Sequence, residues 1–528
     1  MILSFQKKFI YLFFTIYFLT GSYLSLTNGI SHDEFHEQQN WIINIESAKD
    51  FFLTGSYDAL LNYGDKYHGI AFQIISQPIQ YLIKDLVISY NKVSEFGGLL
   101  ISKHFVVFLF FTTSGFFFFL IMNKITKDFF ASVLSTALYL TYPYLLGHAL
   151  FNPKDIPFLS VWIICTYFSL SLVEDFYFNK KIKISQLMII AFFTAFLTGI
   201  RIVGFLILIQ YLVSILIFLQ ITKKNLLSFL KKNYFYLLIS LISFVFFVYI
   251  LSPIFWHNPL EIINSIKWMG KYPQNICTLT NGSCLYSLSL PSSYYFVWLF
   301  YKLPLLILIG CFIFPLVESK IFKNDLVSIY YGTLIIIVPV IIIIFILKNV
   351  AIYDELRHVL FIFPLILIIS LSNLYIFFKK HLFNLFTILL LFFFIMENIS
   401  LNPYQYTWLN SLSKFKDIEK NFEIDYWGIS NKNLQKKIIE FSDKEKISKS
   451  ICIYGDNYVR EFLIFNNFKC FGQYGEIDDG KTRPFIAYKN LRNVKRSDPK
   501  NCQLIWNEGY SYTFHKKKIS TGTLWYCD

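Results

Sequence analysis

The stretch FIYLFFTIYFLTGSYLSL (residues 9–26) is followed shortly by SHDEFH (residues 31–36). An almost wholly apolar run of this length matches a helix that spans a membrane. Asp33 and Glu34 then stand where this first span ends. Carboxylates so close to hydrocarbon lose hydration, which is costly unless they serve a site. The junction therefore predicts chemistry at a membrane surface.

Composition places the chain among polytopic membrane proteins. Of its 528 residues, 55% are hydrophobic and 16% are charged, and the mean hydropathy is +0.49. No soluble fold buries that much apolar surface. The formal net charge of +14 resembles that of a nucleic-acid binder, but much of it lies in short clusters between apolar runs, where it sets membrane topology. We expect a lipid bilayer as partner and no nucleic acid.

Apolar runs of membrane-spanning length predict about eleven transmembrane helices. They lie at residues 8–28, 104–122, 128–147, 156–173, 185–199, 202–221, 234–255, 295–317, 326–347, 356–377 and 382–397. The first run is too long for the apolar part of a signal peptide and has no small-residue cleavage site, so we expect it to remain uncleaved. Residues 70–90 contain Pro78, Lys84 and Asp85, which favours a helix lying on the membrane surface.

Lysine clusters fall in every second loop, and the positive-inside rule places those loops in the cytoplasm. The clusters are Lys7/Lys8, Lys124/Lys127, Lys180/Lys181/Lys183, Lys223/Lys224/Lys231/Lys232, Lys320/Lys323 and Lys379/Lys380. The N-terminus is then cytoplasmic, and the outer loops are residues 29–102, 148–155, 256–294 and 348–356. We expect a transmembrane catalytic domain over residues 1–400 and an extracytoplasmic C-terminal domain over residues 401–528.

The C-terminal region changes to a mixed, charged, soluble pattern. Residues 450–455 predict a short strand entering a turn and residues 456–466 a helical stretch, so we expect a small α/β or α+β domain. Six cysteines fall on the proposed outer side, which suits disulfides in an oxidising compartment. Cys277–Cys284 is the first pairing expected, with Cys452–Cys470 and Cys502–Cys527 as further candidates and free thiols as the alternative.

Arginine is scarce in this chain, with six arginines against 42 lysines. Arg201 and Arg357 are the only arginines before residue 460, and both sit at outer ends of predicted spans. Arginine binds phosphate bidentately and stays charged when partly dehydrated. These two residues are therefore candidates for an anionic headgroup, with interfacial snorkelling or pairing with a nearby acid as the alternative.

Two further outer segments combine acids with bases. In NPKDIPF (residues 152–158), Lys154 and Asp155 stand between two prolines, and Asp155 is a candidate to orient a substrate or simply to cap a helix. In YDELRH (residues 353–358), a dense charged cluster enters a span. It suits a phosphate or pyrophosphate headgroup, whereas an ion pair between Asp354 and Arg357 is the competing explanation.

Taken in order, these segments resemble the GT-C superfamily of membrane glycosyltransferases, specifically family 39-like proteins related to protein O-mannosyltransferases and lipid A aminoarabinose transferases. The resemblance covers roughly residues 8–430. It is carried by HDE (32–34), NPKDIPF (152–158), LPSSYY (290–295), YDELRH (353–358), PYQY (403–406) and DYWG (425–428).

The resemblance implies an inverting transfer of a sugar from a polyprenyl-phosphate donor on the periplasmic or luminal face. Asp33 matches the catalytic base, with Glu34 beside it, and Asp155 matches a second acidic position. The basic candidates for the lipid phosphate are Lys154, Arg201, Arg357 and His358. The acidic residues could hold Mg²⁺ or Mn²⁺, but nothing in the sequence demands a metal or another cofactor.

Two other functions are compatible with a polytopic chain. A transporter or flippase of a lipid-linked or small polar substrate usually shows inverted repeats and charges at mid-membrane depth, and the sequence shows neither clearly. A non-catalytic assembly protein would use its outer domain to bind a partner. We favour the glycosyltransferase, located in a bacterial inner membrane, with an acceptor that is a protein, a glycan or a lipid.

Overall fold

A computed structural model describes residues 2–455, 459–477, 484–490, 497–515 and 517–528. Helices dominate the first four hundred residues, and a small mixed sheet lies near the C-terminus. The chain is a polytopic helical membrane protein with a small C-terminal sheet domain, as the sequence predicts.

Seven helices of the described chain are long and apolar enough to cross a membrane. They are α1 (Ile2–Leu26), α5 (Glu95–Thr126), α8 (Asp155–Tyr177), α10 (Ile207–Thr222, preceded by the 3₁₀ turn Ile202–Leu206), α11 (Leu226–Leu251), α17 (Asp325–Leu347) and α19 (Lys380–Leu401). An eighth span is formed if α6 (Phe129–Thr141) and α7 (Pro143–Ala149) count as one, with a bend of 62° between them. Pro143 accounts for the break, because proline lacks the backbone N–H and clashes with the preceding turn.

The remaining predicted spans are also helical but shorter. α9 (Ile184–Ile200) and α18 (Ile362–Phe377) have 17 and 16 residues. The run at residues 295–317 is divided into α14 (Ser293–Lys302), α15 (Leu305–Phe312) and α16 (Phe314–Ile321). Pro304 and Pro315 stand at the two breaks. All eleven predicted runs are therefore helical, although prolines and length keep four of them, residues 128–147, 185–199, 295–317 and 356–377, from being continuous long spans.

The segments on the proposed outer side form further helices and one β-hairpin. They are α2 (His32–Thr54), α3 (Asp58–Leu61), α4 (Ala71–Asn91), α12 (Ile254–His257), α13 (Glu261–Gly270) and the hairpin of β1 (Cys277–Thr280) and β2 (Ser283–Tyr286). Helix α4 matches the helix expected at residues 70–90. Its exposed side carries Tyr81, Leu82, Leu86 and Tyr90.

The C-terminal sheet has the strand order β4-β3-β5-β7-β6. Strand β3 is parallel to β4 and β5, whereas β7 is antiparallel to β5 and β6. The elements are α20 (Ile418–Asn421), α21 (Ser430–Lys444), β3 (Cys452–Gly455), α22 (Glu461–Phe465), β4 (Cys470–Gln473), β5 (Phe485–Asn490), β6 (Gln503–Tyr510) and β7 (Ile519–Cys527). The helical stretch expected at residues 456–466 is α22, and residues 456–458 lie outside the described residues.

All three candidate disulfides are present: Cys277–Cys284, Cys452–Cys470 and Cys502–Cys527. The first closes the β1–β2 hairpin, the second joins the parallel strands β3 and β4, and the third joins the end of β7 to the residue that precedes β6. The alternative, that these six cysteines are free thiols, is therefore wrong, and the two free cysteines are Cys165 and Cys311 of the predicted spans. Each disulfide is therefore local, and the two in the C-terminal region fasten the sheet at its edges.

Residues 402–429 join the last long helix to the sheet domain and pack into the main helical core. Tyr404, Tyr406, Trp408 and Trp427 are fully buried there. At the end of this connection, the Lys432 ammonium donates to the carbonyl oxygen of Asn28 at 3.2 Å and to that of Thr27 at 2.5 Å. The chain after the last span therefore docks on the end of the first helix, beside the acidic pair.

Candidate functional site

Asp33 lies in the first turn of α2, directly after the first span. The backbone N–H of Ser31 donates to the Glu34 carboxylate at 2.7 Å, which fixes the start of the helix. The N-terminal turn of a helix favours a negative side chain. Asp33 also retains 39% side-chain exposure, so its carboxylate is accessible from outside the fold.

Arg357 is the partner of Asp33, and the Nη1–Oδ2 distance is 3.0 Å. Its guanidinium lies between the rings of Tyr353 and Trp427, each centred 4.7 Å from Cζ, and is nearly fully buried. Asp354 adds a second carboxylate, 3.3 Å from Nε. Stacking between two rings fixes the plane of a guanidinium and so determines where its N–H donors point.

The pKa of the Asp33 carboxyl reflects opposing influences. Burial alone would raise it, but the charge of Arg357, followed by those of His32 and His36, outweighs burial and holds the pKa below its ordinary value. Asp33 is therefore a carboxylate at neutral pH. That is the protonation state that a general base needs.

Asp155 contacts both Arg201 and Arg357 and so joins Arg201 to the pair of Asp33 and Arg357. Its Oδ1 accepts a hydrogen bond from the Arg201 guanidinium, and its Oδ2 accepts from the Asn152 amide at 2.8 Å and lies 3.9 Å from Arg357 Nη1. The Arg201 Nε is buried and has no hydrogen-bond partner among the described residues. Asp155 is thus fully occupied, and it holds two arginines in fixed positions.

We call Asp33, Asp155, Arg201, Asp354 and Arg357 the charged cluster. Its five members come from four separate segments: the start of α2, the start of α8, the break after α9 and the loop before α18, which supplies two of them. The structure thus brings together Asp33, Asp155, Arg201 and Arg357, four of the candidate site residues selected from the sequence. Three carboxylates face two guanidinium groups, so each arginine has at least one counter-ion within the charged cluster.

Lys154 lies beside the charged cluster and forms an ion pair with a carboxylate outside it. Its ammonium is 2.7 Å from the Glu37 carboxylate and 3.2 Å from His68 Nδ1. Glu37 is one helical turn after Asp33, on the same face of α2. A narrow cavity lined by Asn44, His68, Gly69, Thr198 and Ile202, among others, adjoins this group.

Besides Lys154, two further predicted site residues, Glu34 and His358, lie outside the charged cluster. Glu34 is fully buried, with one oxygen on the Ser31 N–H and the other 2.8 Å from His104 Nε2. His358 packs against the Tyr353 ring, with centroids 4.6 Å apart, and burial together with the charge of Arg357 lowers its pKa well below the ordinary value. His358 is therefore neutral, and a neutral imidazole supplies no charge to an anion.

Sequence reasoning missed Glu37, His68 and Lys302. Glu37 had a visible signal, because it stands at position i+4 from Asp33 on one helix. Lys302 lies inside a predicted apolar run, where a charge is costly. His68 had no signal, because Lys154 and Trp268, which lie beside it, are far away in the chain.

Lys302 and Glu355 form a fully buried ion pair beneath the loop that carries Arg357, with an Nζ–Oε2 distance of 2.7 Å. Asp354 and Glu355 both have positive φ, 55° and 65°, a backbone conformation that is strained for residues other than glycine. The Tyr294 hydroxyl donates to the Glu355 carbonyl at 2.9 Å, and the Asp354 N–H donates to the Thr278 hydroxyl at 2.9 Å. These contacts hold the loop in the shape that presents Arg357.

The comparisons with known proteins give similarity of structure and none of sequence family. No family model matches the chain, and no curated protein matches it. Among solved structures, one titled "Crystal Structure of ArnT from Cupriavidus metallidurans in the apo state" is similar over 98% of this chain and 98% of that chain, with 11% sequence identity and a TM-score of 0.45. At this identity and TM-score the similarity assigns no activity, so the function has to be judged from the geometry of the site.

The buried ion pair yields a prediction about stability. Lys302→Met leaves Glu355 buried without a counter-ion, which typically costs about 3–5 kcal/mol. Burial already raises the pKa of Glu355 to about 7 even though Lys302 opposes the shift, and removing Lys302 raises it further. A carboxyl whose pKa is higher in the folded state loses stability as pH rises. The unmodified protein shares this loss up to about pH 7, so the deficit of the variant should be larger at about pH 9 than at about pH 6.

Thermal unfolding of the purified protein in detergent measures this effect. The double variant Lys302→Met/Glu355→Gln should recover part of the loss, because it leaves no unpaired charge. A single variant as stable as the unmodified protein at both pH values would contradict the assigned pair.

Proposed function

We propose that this protein transfers a sugar from a polyprenyl-phosphate donor to an acceptor at the outer face of the membrane, with inversion at the anomeric carbon and Asp33 as general base. The observation that carries the proposal is the ion pair between Asp33, an accessible carboxylate, and Arg357, a buried guanidinium stacked between two aromatic rings. The pair adjoins helices of membrane-spanning length, as a lipid-borne substrate requires.

The first step is an exchange of partners at Arg357. A phosphate monoester or diester competes with the Asp33 carboxylate for the guanidinium, because both are anions that accept paired N–H bonds. Arg201, which has an unpartnered Nε, supplies a second donor from the other side of Asp155. Donor binding then frees Asp33 from its ion pair and leaves it as an accessible base beside the bound phosphate.

The second step is a direct displacement. The acceptor oxygen attacks the anomeric carbon and gives its proton to Asp33, while the bond between that carbon and the phosphate oxygen breaks and the electron pair leaves with the phosphate. Charge builds on the departing phosphate, and the two arginines stabilise it. Attack opposite to the leaving group inverts the configuration.

The remaining candidates have supporting roles in this proposal. Asp155 positions Arg201 and Arg357 and has no free oxygen with which to act as a base. Glu34 anchors the start of α2 through Ser31 and His104. The proposed reaction needs no Mg²⁺ or Mn²⁺, because the guanidinium groups supply the positive charge that stabilises the phosphate.

A substitution at the base tests the reaction. Asp33→Asn should lower the rate of transfer from a polyprenyl-phosphate sugar by about 10²–10⁴-fold, because the amide cannot take the acceptor proton. Membrane insertion and binding of polyprenyl phosphate should persist, since Arg357 loses a competing anion. The assay is single-turnover transfer in proteoliposomes.

Asp50→Asn is the matched control, because Asp50 is an exposed carboxylate on the same helix. It should transfer at the unmodified rate. An Asp33→Asn protein that turns over normally would refute the base assignment. Flux of substrate across the vesicle membrane without a covalent product would instead support a transporter.

The orientation is also a proposal, based on the lysine clusters between the spans. With Cys165 and Cys311 replaced by serine, Ser289→Cys in the outer loop should react with a membrane-impermeant maleimide in intact cells. Lys181→Cys should react only after permeabilisation, because positively charged loops stay in the cytoplasm. Both positions are exposed in the structure, so burial does not explain a difference. The reverse pattern would place Asp33 in the cytoplasm and exclude the proposed reaction on the outer face.

A further inference from the structure

Helix α4 has its polar side inside and its apolar side outside. Gln73, Gln77 and Gln80 are almost fully buried, whereas Leu82 and Leu86 are 83% and 71% exposed. The three glutamines recur at intervals of four and three residues and so form one face of the helix. In a water-soluble protein the arrangement would be reversed.

Helix α2 shows the same inversion. Its buried residues are almost all polar and include Glu37, Gln38, Asn40 and Asn44, while Ile42 and Ile45 are exposed. The two polar faces meet, because the Gln73 amide donates to the Glu37 carboxylate at 2.6 Å. The exposed apolar sides suit contact with lipid, and the two polar faces form one buried polar region inside the protein.

Lys103 of α5 belongs to the same buried polar region. It is fully buried, and its ammonium donates to the Gln38 side-chain oxygen at 3.3 Å. No carboxylate of the described residues lies within ion-pair distance of it. An ammonium has three N–H donors, so two of them have no partner in the described part of the chain. We call Glu37, Gln73, Gln77 and Lys103 the polar compartment.

Gln77 has hydrogen-bonding groups in the polar compartment that no described residue satisfies. Both atoms of its side-chain amide are buried and have no hydrogen-bond partner among the described residues, and the same is true of the Gln73 oxygen. Gln80, on the same helix face, has its partner in the Leu99 carbonyl at 2.9 Å. Buried polar groups are nearly always satisfied by protein, water or ligand, so unsatisfied amides flanked by satisfied ones indicate an occupant.

The chemistry of the polar compartment favours neutral hydroxyl groups over an anion. An amide both donates and accepts, as a hydroxyl does, whereas a phosphate or carboxylate only accepts. Glu37 adds a carboxylate acceptor to which a hydroxyl can donate and an anion cannot, and Lys103 adds N–H donors that a hydroxyl oxygen can accept. The polar compartment also adjoins the charged cluster, because Glu37 pairs with Lys154, the neighbour of Asp155.

We propose that Gln73, Gln77 and Lys103, together with Glu37, bind the hydroxyl groups of the glycosyl unit carried by the donor and so determine which sugar is transferred. The inference rests on the proposed function. A buried group of donors and acceptors next to the proposed phosphate site suits the part of the substrate that is attached to that phosphate. The acceptor enters instead from the side on which Asp33 is exposed.

The test compares donors that differ in one hydroxyl. Unmodified protein and Gln77→Met are assayed in proteoliposomes with polyprenyl phosphates that carry glucose, galactose, mannose and a deoxy analogue of the preferred sugar. Gln77→Met should raise the donor KM and reduce discrimination between the preferred sugar and its deoxy analogue by about tenfold or more, because the amide that recognised the hydroxyl is lost. Gln73→Met is a second variant of the same face and should act in the same direction.

Gln80→Met is the matched control. It removes a structural hydrogen bond from the same helix face, so it should lower the melting temperature and leave the ratio between donors unchanged. Selectivity that is unchanged in both Gln77→Met and Gln73→Met would overturn this inference while leaving the transfer reaction intact. A KM effect confined to the acceptor would overturn the assignment to the donor. Failure of the unmodified protein to transfer from every donor would overturn the proposed function itself.

Discussion

The ion pair between Asp33 and Arg357 is the interaction on which the rest of the site depends. A guanidinium that is nearly fully buried needs counter-ions, and three carboxylates supply them from different parts of the chain. Because Asp33 remains partly exposed, it is the one of the three that an entering anion can replace without rebuilding the interior. The arrangement thus combines a fixed cation with an exchangeable acid.

Much of the fold serves to hold Arg357 where Asp33 can reach it. The loop before α18 has two successive residues at positive φ, and contacts from the β1–β2 hairpin, from α14 and from the buried Lys302 stabilise it. From the other side, the connection to the C-terminal sheet places Trp427 on the guanidinium. The Trp427 carbonyl also accepts the His32 N–H at 3.1 Å, next to the catalytic candidate. The C-terminal region therefore contributes to the site rather than lying apart from it.

The sequence predicted the helices, the three disulfides and the four residues at the centre of the charged cluster, because hydrophobic length, cysteine sidedness and rare arginines are local signals. It did not predict that Glu34 points inward to His104, because neighbouring residues on a helix differ in direction and only packing decides which one faces the core. The glutamines and asparagines of α2 and α4 could not be assigned a role from the sequence. An inverted amphipathic helix becomes informative only when its partner across the interior is known.

A structure by electron cryo-microscopy of the reconstituted protein with an inert polyprenyl-phosphate analogue tests the central claim most directly. We predict phosphate density within hydrogen-bonding distance of the guanidinium groups of Arg357 and Arg201, and an Asp33 carboxylate that has turned away from Arg357 toward the open side of the site. Phosphate bound elsewhere, with the ion pair between Asp33 and Arg357 intact, would contradict the account.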